Sequence, residues 1–176
     1  MPTAFFYHND CLEHETGEDH PETPKRLEVI LELLKLNEFK PLVLVEAQMA
    51  DLSLLNLVHS KEYISELYDH SPFTDLINLD ADTVVSSGTL VAARRAVGAV
   101  CDAVDYVLDS SYRNAFCAVR PPGHHARYNM GMGFCIFNNI AVGAKYAQAF
   151  KKVDRVAVID FDVHHGNGTE ELFSGD

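Results

Sequence analysis

The sequence predicts an α/β fold in which a parallel sheet is flanked by helices. Short apolar runs typical of buried strands alternate with longer amphipathic stretches typical of helices. The clearest helix is predicted at 86–108, and buried parallel strands are predicted at 115–119 and 155–161. Ligands of such sheets bind beyond the carboxyl ends of the strands, so the segments that follow these two strands are the first place to look for function.

The remaining elements are predicted on either side of the long helix. Residues 4–8 form an apolar run that opens the sheet, and a further strand is predicted at 41–46. Thr23 is predicted to cap a helix whose first residue is Pro24, and Ser60 is predicted to cap a second helix. The apolar residues of these two helices are Leu27, Ile30, Leu31 and Leu34 in the first and Tyr63, Ile64 and Leu67 in the second. A further helical stretch covers 138–150.

Length and charge restrict the classes of function. A chain of 176 residues is long enough for one domain with a sizeable core. Its net charge of −12 argues against general binding to nucleic acid or to anionic membranes and fits cationic substrates better, although acidity also serves solubility. No apolar run approaches the roughly 20 residues that span a bilayer, so we expect a cytoplasmic protein. The four cysteines form no CxxC pair and are predicted to be free thiols.

The segment 160–169, DFDVHHGNGT, is the strongest indication of chemistry. A strand predicted to be buried leads directly into carboxylates and imidazoles, and burying such groups costs several kcal/mol each unless they are paired or bind a metal. Asp162 and His164 would project to the same side of an extended chain, where their donor atoms suit zinc. The alternative is a satisfied hydrogen-bond network at a strand end. That alternative is favoured for a lone Asp-x-His, but not for ten residues of this composition.

The segment 120–126, RPPGHHA, places two adjacent histidines on a loop restricted by prolines. His124 and His125 suit acid–base chemistry if each is held by a different partner. Taken alone, the pair could equally be zinc ligands or part of a loop without function. Its position after a strand of the same sheet favours the catalytic interpretation, and we expect this loop to meet 160–169 in space.

The segment 131–139, GMGFCIFNN, allows two interpretations that do not exclude each other. Its glycines let the backbone approach a ligand, and Phe134 could form the wall of an apolar channel. The same residues are also typical of a glycine turn that enters a helix capped by Asn138.

These three segments resemble signatures of the histone deacetylase and acetylpolyamine amidohydrolase superfamily. HPETPKRL at 20–27 and LDADTVVSSGT at 79–89 resemble its amino-terminal segments, so the resemblance covers nearly the whole chain. Asn167 stands where many class I members have aspartate, which makes this region more similar to class II and bacterial members. The resemblance implies an arginase/deacetylase-like fold in which residues 1–176 are the N-terminal part of a single deacetylase-type domain, incomplete at its C-terminus.

The resemblance also implies an activity, zinc-dependent hydrolysis of acetyl or other acyl groups on lysine side chains or polyamines. It implies that His125 is the general base and that His124 acts mainly through its charge. The other implied roles are zinc ligands for Asp162 and His164, support of the two histidines for Asp160 and Asn167, substrate binding for Asp82, Gly133 and Phe134, and a potassium ion near 160–164.

Some implied residues are not found in the sequence. The family's third zinc ligand and its oxyanion-binding tyrosine would lie beyond Asp176, so we expect the 176-residue chain to bind zinc weakly and to have little activity. Three explanations remain open. The chain is a truncated product, a fragment that pairs with the C-terminal portion or another subunit, or an inactive short relative that acts as a binding or structural module. The substrate also remains open between an acetyl-lysine protein or peptide and an acetylated polyamine.

Overall fold

The main sheet confirms the predicted α/β class. The computed structural model describes residues 2–71 and 75–175. Three parallel strands, β1 (Ala4–Tyr7), β2 (Val43–Glu46) and the later strand β5 (Ala115–Cys117), lie in the order β2–β1–β5. A short antiparallel ribbon joins β3 (Ile77–Asn78) to β4 (Val84–Val85). The first two strand predictions, at 4–8 and 41–46, are therefore confirmed.

The part of the chain that the structure describes contains six helices. They are α1 (Lys25–Leu33), α2 (Leu52–Leu55), α3 (Lys61–His70), α4 (Thr89–Asp109), α5 (Asn139–Lys151) and α6 (Asn167–Phe173), with short 3-10 helices at Asn9–Leu12 and Asn37–Phe39. The predicted caps are confirmed at Ser60 and Asn138, whose side chains accept the N–H groups of Tyr63 and Ala141. None of these helices is both long enough and apolar enough to cross a membrane.

Two helix starts differ from prediction. The first helix begins at Lys25, so Pro24 occupies the capping position, and no side chain caps this helix. The long helix begins at Thr89, three residues later than predicted from Ser86, because Ser86 makes other hydrogen bonds. Its N–H donates to Thr89 Oγ1 at 2.7 Å, and its hydroxyl accepts the N–H of Glu15 at 3.0 Å.

Strand β1 separates two layers of the core. Phe5 packs with Leu27 of α1 on one face of the sheet, and Phe6 packs with Ala99 of α4 on the other. The two phenylalanines point in opposite directions because successive side chains of a strand alternate between its faces. Helix α5 packs against the outer side of α4 and completes the larger core cluster.

The predicted buried strand at 155–161 is wrong. These residues form neither helix nor strand, and Ile159 and Phe161 are 85% and 94% exposed. A strand becomes buried only when other strands pair with it, and no described strand pairs with this segment. Strand β5 is also less buried than predicted and ends at Cys117, since it forms one edge of the sheet and leaves Phe116 54% exposed.

The cysteines are free thiols, as predicted. Cys11, Cys101 and Cys135 are buried, and Cys117 is partly buried. Burial raises the pKa of the Cys101, Cys117 and Cys135 thiols to about 12, since the thiolate form is poorly solvated in the core. These groups are therefore uncharged packing residues rather than nucleophiles.

His59 is a buried histidine that links two loops. Its Nδ1–H donates to the carbonyl oxygen of Arg127 at 2.9 Å, and its Nε2 accepts the backbone N–H of Asn138 at 2.9 Å. The carbonyl can only accept and the amide can only donate, so the ring is neutral and carries its proton on Nδ1. Burial lowers the pKa of His59 to about 4.

Protonation of His59 should make the fold sensitive to acid. Its pKa falls from the ordinary 6.5 to about 4 on folding, so the unfolded chain binds this proton more readily. The corresponding stabilisation, about 3 kcal/mol, is fully present above pH ~6.5 and is lost as the pH falls toward ~4. Urea unfolding across this range should show a shallower pH dependence for His59→Gln than for the wild type. If His59→Gln and the exposed-site control His165→Gln both retained the wild-type slope, the prediction would be wrong.

Candidate active site

The loops predicted to meet do lie together, although only one of them follows a strand. The loop 120–126 follows β5, and the segment 160–169 leads into α6. The N–H of Thr169 donates to the carbonyl oxygen of His124 at 3.1 Å, which joins the first turn of α6 to the histidine loop. The two histidine rings of this loop lie 4.1 Å apart between centroids.

His124 is paired with a carboxylate. Its Nδ1 lies 2.8 Å from Oδ2 of Asp160, and Asp160 also accepts the N–H of Asp162 at 3.1 Å. The hydrogen bond from His124 is the main cause that lowers the pKa of Asp160, and the N–H of Asp162 adds to it. Asp160 is therefore ionised at neutral pH and sets the Nδ1–H tautomer of His124.

His125 is paired with a neutral amide instead. Its Nδ1 lies 2.6 Å from Oδ1 of Asn167, the first residue of α6. A carbonyl oxygen can only accept, so the Nδ1 of His125 carries the proton and its Nε2 presents a lone pair. The two adjacent imidazoles thus have chemically different partners, an arrangement that suits acid–base chemistry.

The predicted substrate-binding residues lie beside this pair. Gly133 has φ +55° and contacts the His125 ring so closely that an added Cβ would lie 2.5 Å from Cδ2 of that ring. The next residue, Phe134, donates its N–H to Thr83 Oγ1 at 3.0 Å, and the Thr83 hydroxyl also reaches Asp82 Oδ1 at 3.4 Å. These contacts bring Phe134 and the exposed Asp82 to the same side of the site.

His20 completes this side and was given no role by the sequence. Its Nε2–H donates to the carbonyl oxygen of Asp82 at 2.9 Å, and its ring packs edge-on against Phe134 with centroids 4.8 Å apart. The sequence holds no local sign of this contact, because His20 and Phe134 are joined only by the tertiary fold.

Asp162 and His164 lie near the tandem histidines but do not form a metal site alone. The chain is bent at 162–164, and His164 Nδ1 contacts Asp162 Oδ1 at 2.9 Å, so the predicted extended geometry is not observed. The His164 ring lies 6.0 Å from that of His125. Within 2–71 and 75–175, no group of three or more His, Cys, Asp or Glu side chains is arranged to hold a metal ion.

The donors present therefore fit part of a zinc site. One carboxylate and one imidazole are in contact and partly exposed, and both are ligand types that zinc prefers. A catalytic zinc ordinarily takes three protein ligands, so these two residues by themselves would be one ligand short.

A buried ion pair anchors the root of the histidine loop. Arg120 donates from Nε and Nη2 to the two carboxylate oxygens of Glu22 at 2.7 and 2.6 Å, and from Nη1 and Nη2 to the carbonyl oxygens of Cys11 and His14. Glu22 is completely buried and Arg120 nearly so. Both residues lie in segments identified from the sequence, 20–27 and 120–126. The sequence gave no sign that they form an ion pair, since 98 positions separate them.

Two open cavities border the exposed segment 155–162. One, of about 340 Å³, is lined by the histidine-loop residues Pro122, Gly123 and His124, by Asn139 and Ile140, and by residues 158–162. A second, of about 670 Å³, lies between α5, α6 and residues 154–158 and includes neither tandem histidine. The smaller cavity is the one that adjoins the candidate chemistry.

Removing the charge of Glu22 should destabilise the fold strongly. Glu22→Gln keeps the shape of the side chain but leaves the Arg120 charge buried and unpaired, so we expect the free energy of unfolding to fall by roughly 3–5 kcal/mol. Denaturant unfolding followed by circular dichroism measures this loss. The same change at the exposed Glu18 should cost less than about 0.5 kcal/mol. Equal losses for the two variants would show that the ion pair does not stabilise the fold.

Comparison with known proteins agrees with the geometry. The histone deacetylase domain model matches residues 20–176. Type-2 histone deacetylase 2 of Dictyostelium discoideum is 39% identical over 210 residues, which cover 99% of this chain and 12% of that protein. Polyamine deacetylase HDAC10 of Homo sapiens is 35% identical over 190 residues, which cover 100% of this chain and 28% of that protein.

A solved structure extends the likeness to the fold. The crystal structure of the HDA15 HD domain matches with a TM-score of 0.91 at 34% identity, covering 98% of this chain and 49% of that one. The chain thus spans about half of that solved chain and smaller shares of the two relatives above. The chain belongs to the histone deacetylase family.

Proposed function

We propose that this chain carries the proton-transfer side of a zinc-dependent amidohydrolase that removes acetyl or other acyl groups from lysine side chains or polyamines. The observation that carries the proposal is the pairing of two adjacent imidazoles with different partners, His124 with the Asp160 carboxylate and His125 with the Asn167 amide. Membership of a deacetylase family supports the reaction class.

His125 is the proposed general base. The amide of Asn167 orients its ring without adding charge, and the Nε2 lone pair can take a proton from the attacking water. Once protonated, the same nitrogen can pass the proton to the leaving amine, so a single group can serve both halves of the hydrolysis.

His124 has a different proposed role. The Asp160 carboxylate, whose pKa is lowered mainly by this hydrogen bond, accepts the Nδ1–H of His124, so a negative charge lies next to that ring, whereas His125 faces a neutral amide. A positively charged His124 next to the reaction centre would stabilise the negative charge that develops on the acyl oxygen.

Asp162 and His164 are the residues proposed to hold zinc. The His164 ring lies 6.0 Å from that of His125, Asp162 contacts His164, and together they supply one carboxylate and one imidazole. When bound, zinc supplies a Lewis acid that polarises the acyl carbonyl. A further ligand and a donor to the oxyanion are proposed to come from a polypeptide segment outside this chain, since its known relatives are longer. A potassium ion near 160–164 stays a prediction.

Two substrate classes fit the chemistry of Asp82 and Phe134. Asp82 is an exposed carboxylate that could hold a polar or cationic chain, and Phe134 offers an apolar surface to the methylene groups. Acetyl-lysine and acetylated polyamines both combine a polar or cationic chain with methylene groups. One relative is named a histone deacetylase and another a polyamine deacetylase, which is consistent with either class.

Activity can be tested on a protein in which this chain is followed by the part of the HDA15 HD domain that it does not match. We expect zinc-dependent release of acetate from acetyl-lysine peptides or acetylpolyamines, abolished by chelation. In that protein His125→Ala should lower kcat by ~100-fold or more, since it removes the general base. The assay measures acetate released per enzyme over time.

His165→Ala is the matched control, because His165 is exposed and contacts Glu170 instead of the tandem histidines. It should leave kcat within about twofold of the parent protein. Comparable rates for His125→Ala and His165→Ala would contradict the assignment of the base. The proposed function would be contradicted by a folded, zinc-loaded protein that released acetate from none of the acetyl-lysine peptides and acetylpolyamines.

Zinc binding by the 176-residue chain itself should be weak. Asp162 and His164 supply two donors, one fewer than the three protein ligands of a catalytic zinc site. Equilibrium titration with a zinc indicator should therefore give a weak affinity that Asp162→Ala or His164→Ala removes. Tight binding that survived both substitutions would show that zinc is held by other residues.

A further inference from the structure

Asn138 joins three elements beneath the tandem histidines. Its side chain is completely buried, and its Nδ2 donates to the carbonyl oxygen of Ala126 and to Thr169 Oγ1, both at 3.1 Å. Its Oδ1 accepts the N–H of Ala141, and its own N–H donates to His59 Nε2. Each polar atom of this asparagine side chain is therefore satisfied by a contact that its amide geometry suits.

The two partners of Nδ2 flank the His125 pair. Ala126 directly follows His125, and Thr169 lies two residues after Asn167. The amide of Asn138 thus bridges the segment that carries the base to the segment that carries the group orienting it. The bridge sets the spacing between the two segments, and this spacing in turn affects the 2.6 Å contact between His125 and Asn167.

The two segments are in direct contact at this bridge. An added Cβ at Gly168 would lie 2.2 Å from the carbonyl oxygen of Ala126, the same oxygen that accepts from Asn138. The N–H of Thr169 also reaches the carbonyl oxygen of His124. The start of α6 therefore docks directly onto the backbone of the histidine loop.

Helix capping explains only one of the three side-chain contacts described above. The Oδ1 atom of Asn138 caps α5, and serine caps helices about as well as asparagine. A hydroxyl at this position cannot also supply the two N–H groups that reach Ala126 and Thr169. The amide nitrogen has no part in capping, so its two hydrogen bonds point to a second role.

We propose that Asn138 is a positioning residue that holds His125 and Asn167 at hydrogen-bonding distance. It acts through the carbonyl group of Ala126 and the hydroxyl group of Thr169, and it touches neither substrate nor metal. The contact between His125 and Asn167 is a structural fact, and its catalytic importance rests on the function proposed above. A displacement of about 1 Å at such a contact can cost ~100-fold in rate.

The test measures the hydrogen bond itself on the full 176-residue chain, without zinc or substrate. In the ¹⁵N-labelled protein the Nδ1–H of His125 should give a protected imidazole resonance, assigned by its loss in His125→Gln. Asn138→Ser keeps a cap for α5 and removes both Nδ2 donors. We expect solvent exchange of the His125 proton at least tenfold faster in this variant, with α5 still helical by backbone chemical shifts.

Two substitutions at Thr169 give a second measurement of the same exchange rate. This measurement also tests the proposal if Asn138→Ser fails to fold. Thr169→Val removes the hydroxyl group that accepts from Asn138, and Thr169→Ser retains it. Faster exchange in Thr169→Val and wild-type exchange in Thr169→Ser would support the proposal.

The proposal is overturned if Asn138→Ser or Thr169→Val leaves exchange of the His125 proton unchanged, whether or not stability falls, because Asn138 then does not hold the His125 contact. It is also overturned if the wild-type resonance is not protected. None of these readings depends on deacetylase activity. A failure of the proposed function and a failure of this inference are therefore distinguishable.

Discussion

The ion pair between Arg120 and Glu22 is the constraint on which the candidate site depends. It closes a contact between the N-terminal segment and the residue that begins the histidine loop, 98 positions later. Both side chains are buried, so neither can turn to water if the other moves away. The guanidinium group also donates to the carbonyl oxygens of Cys11 and His14. These hydrogen bonds tie the start of the histidine loop to the backbone of the N-terminal segment, in addition to the contacts made through β5 and α4.

Above this anchor, partners rather than residue type distinguish the two histidines. His124 and His125 are chemically identical neighbours on one loop, and their rings lie 4.1 Å apart. One donates to an ionised carboxylate in the segment before α6, and the other donates to the amide of Asn167, the first residue of α6. The difference in role that we propose follows from this difference in partner.

Large apolar side chains remain exposed on the edge strand β5 and in the unpaired segment 155–161. Phe116 on the edge strand and Ile159 and Phe161 in the unpaired segment are all more than half exposed. The same segment contains Asp160 and leads to Asp162 and His164, whose side chains contact each other at 2.9 Å. Pairing with another strand would hold this segment in an extended conformation. Successive side chains of an extended chain point to opposite sides, so Asp162 and His164, two residues apart, would then lie on the same side.

The sequence by itself determined the α/β class, most element positions, the two helix caps at Ser60 and Asn138, and the family, because these depend on local periodicity, capping chemistry and contiguous motifs. It also predicted that the loop 120–126 would meet 160–169, from the geometry of parallel sheets. Only the tertiary structure decided that 155–161 stays unpaired and exposed, since the pairing of a strand depends on what lies beside it. Only the tertiary structure likewise joined Glu22 to Arg120 and Asn138 to Ala126 and Thr169, because a buried polar side chain finds its partner in space and not along the chain.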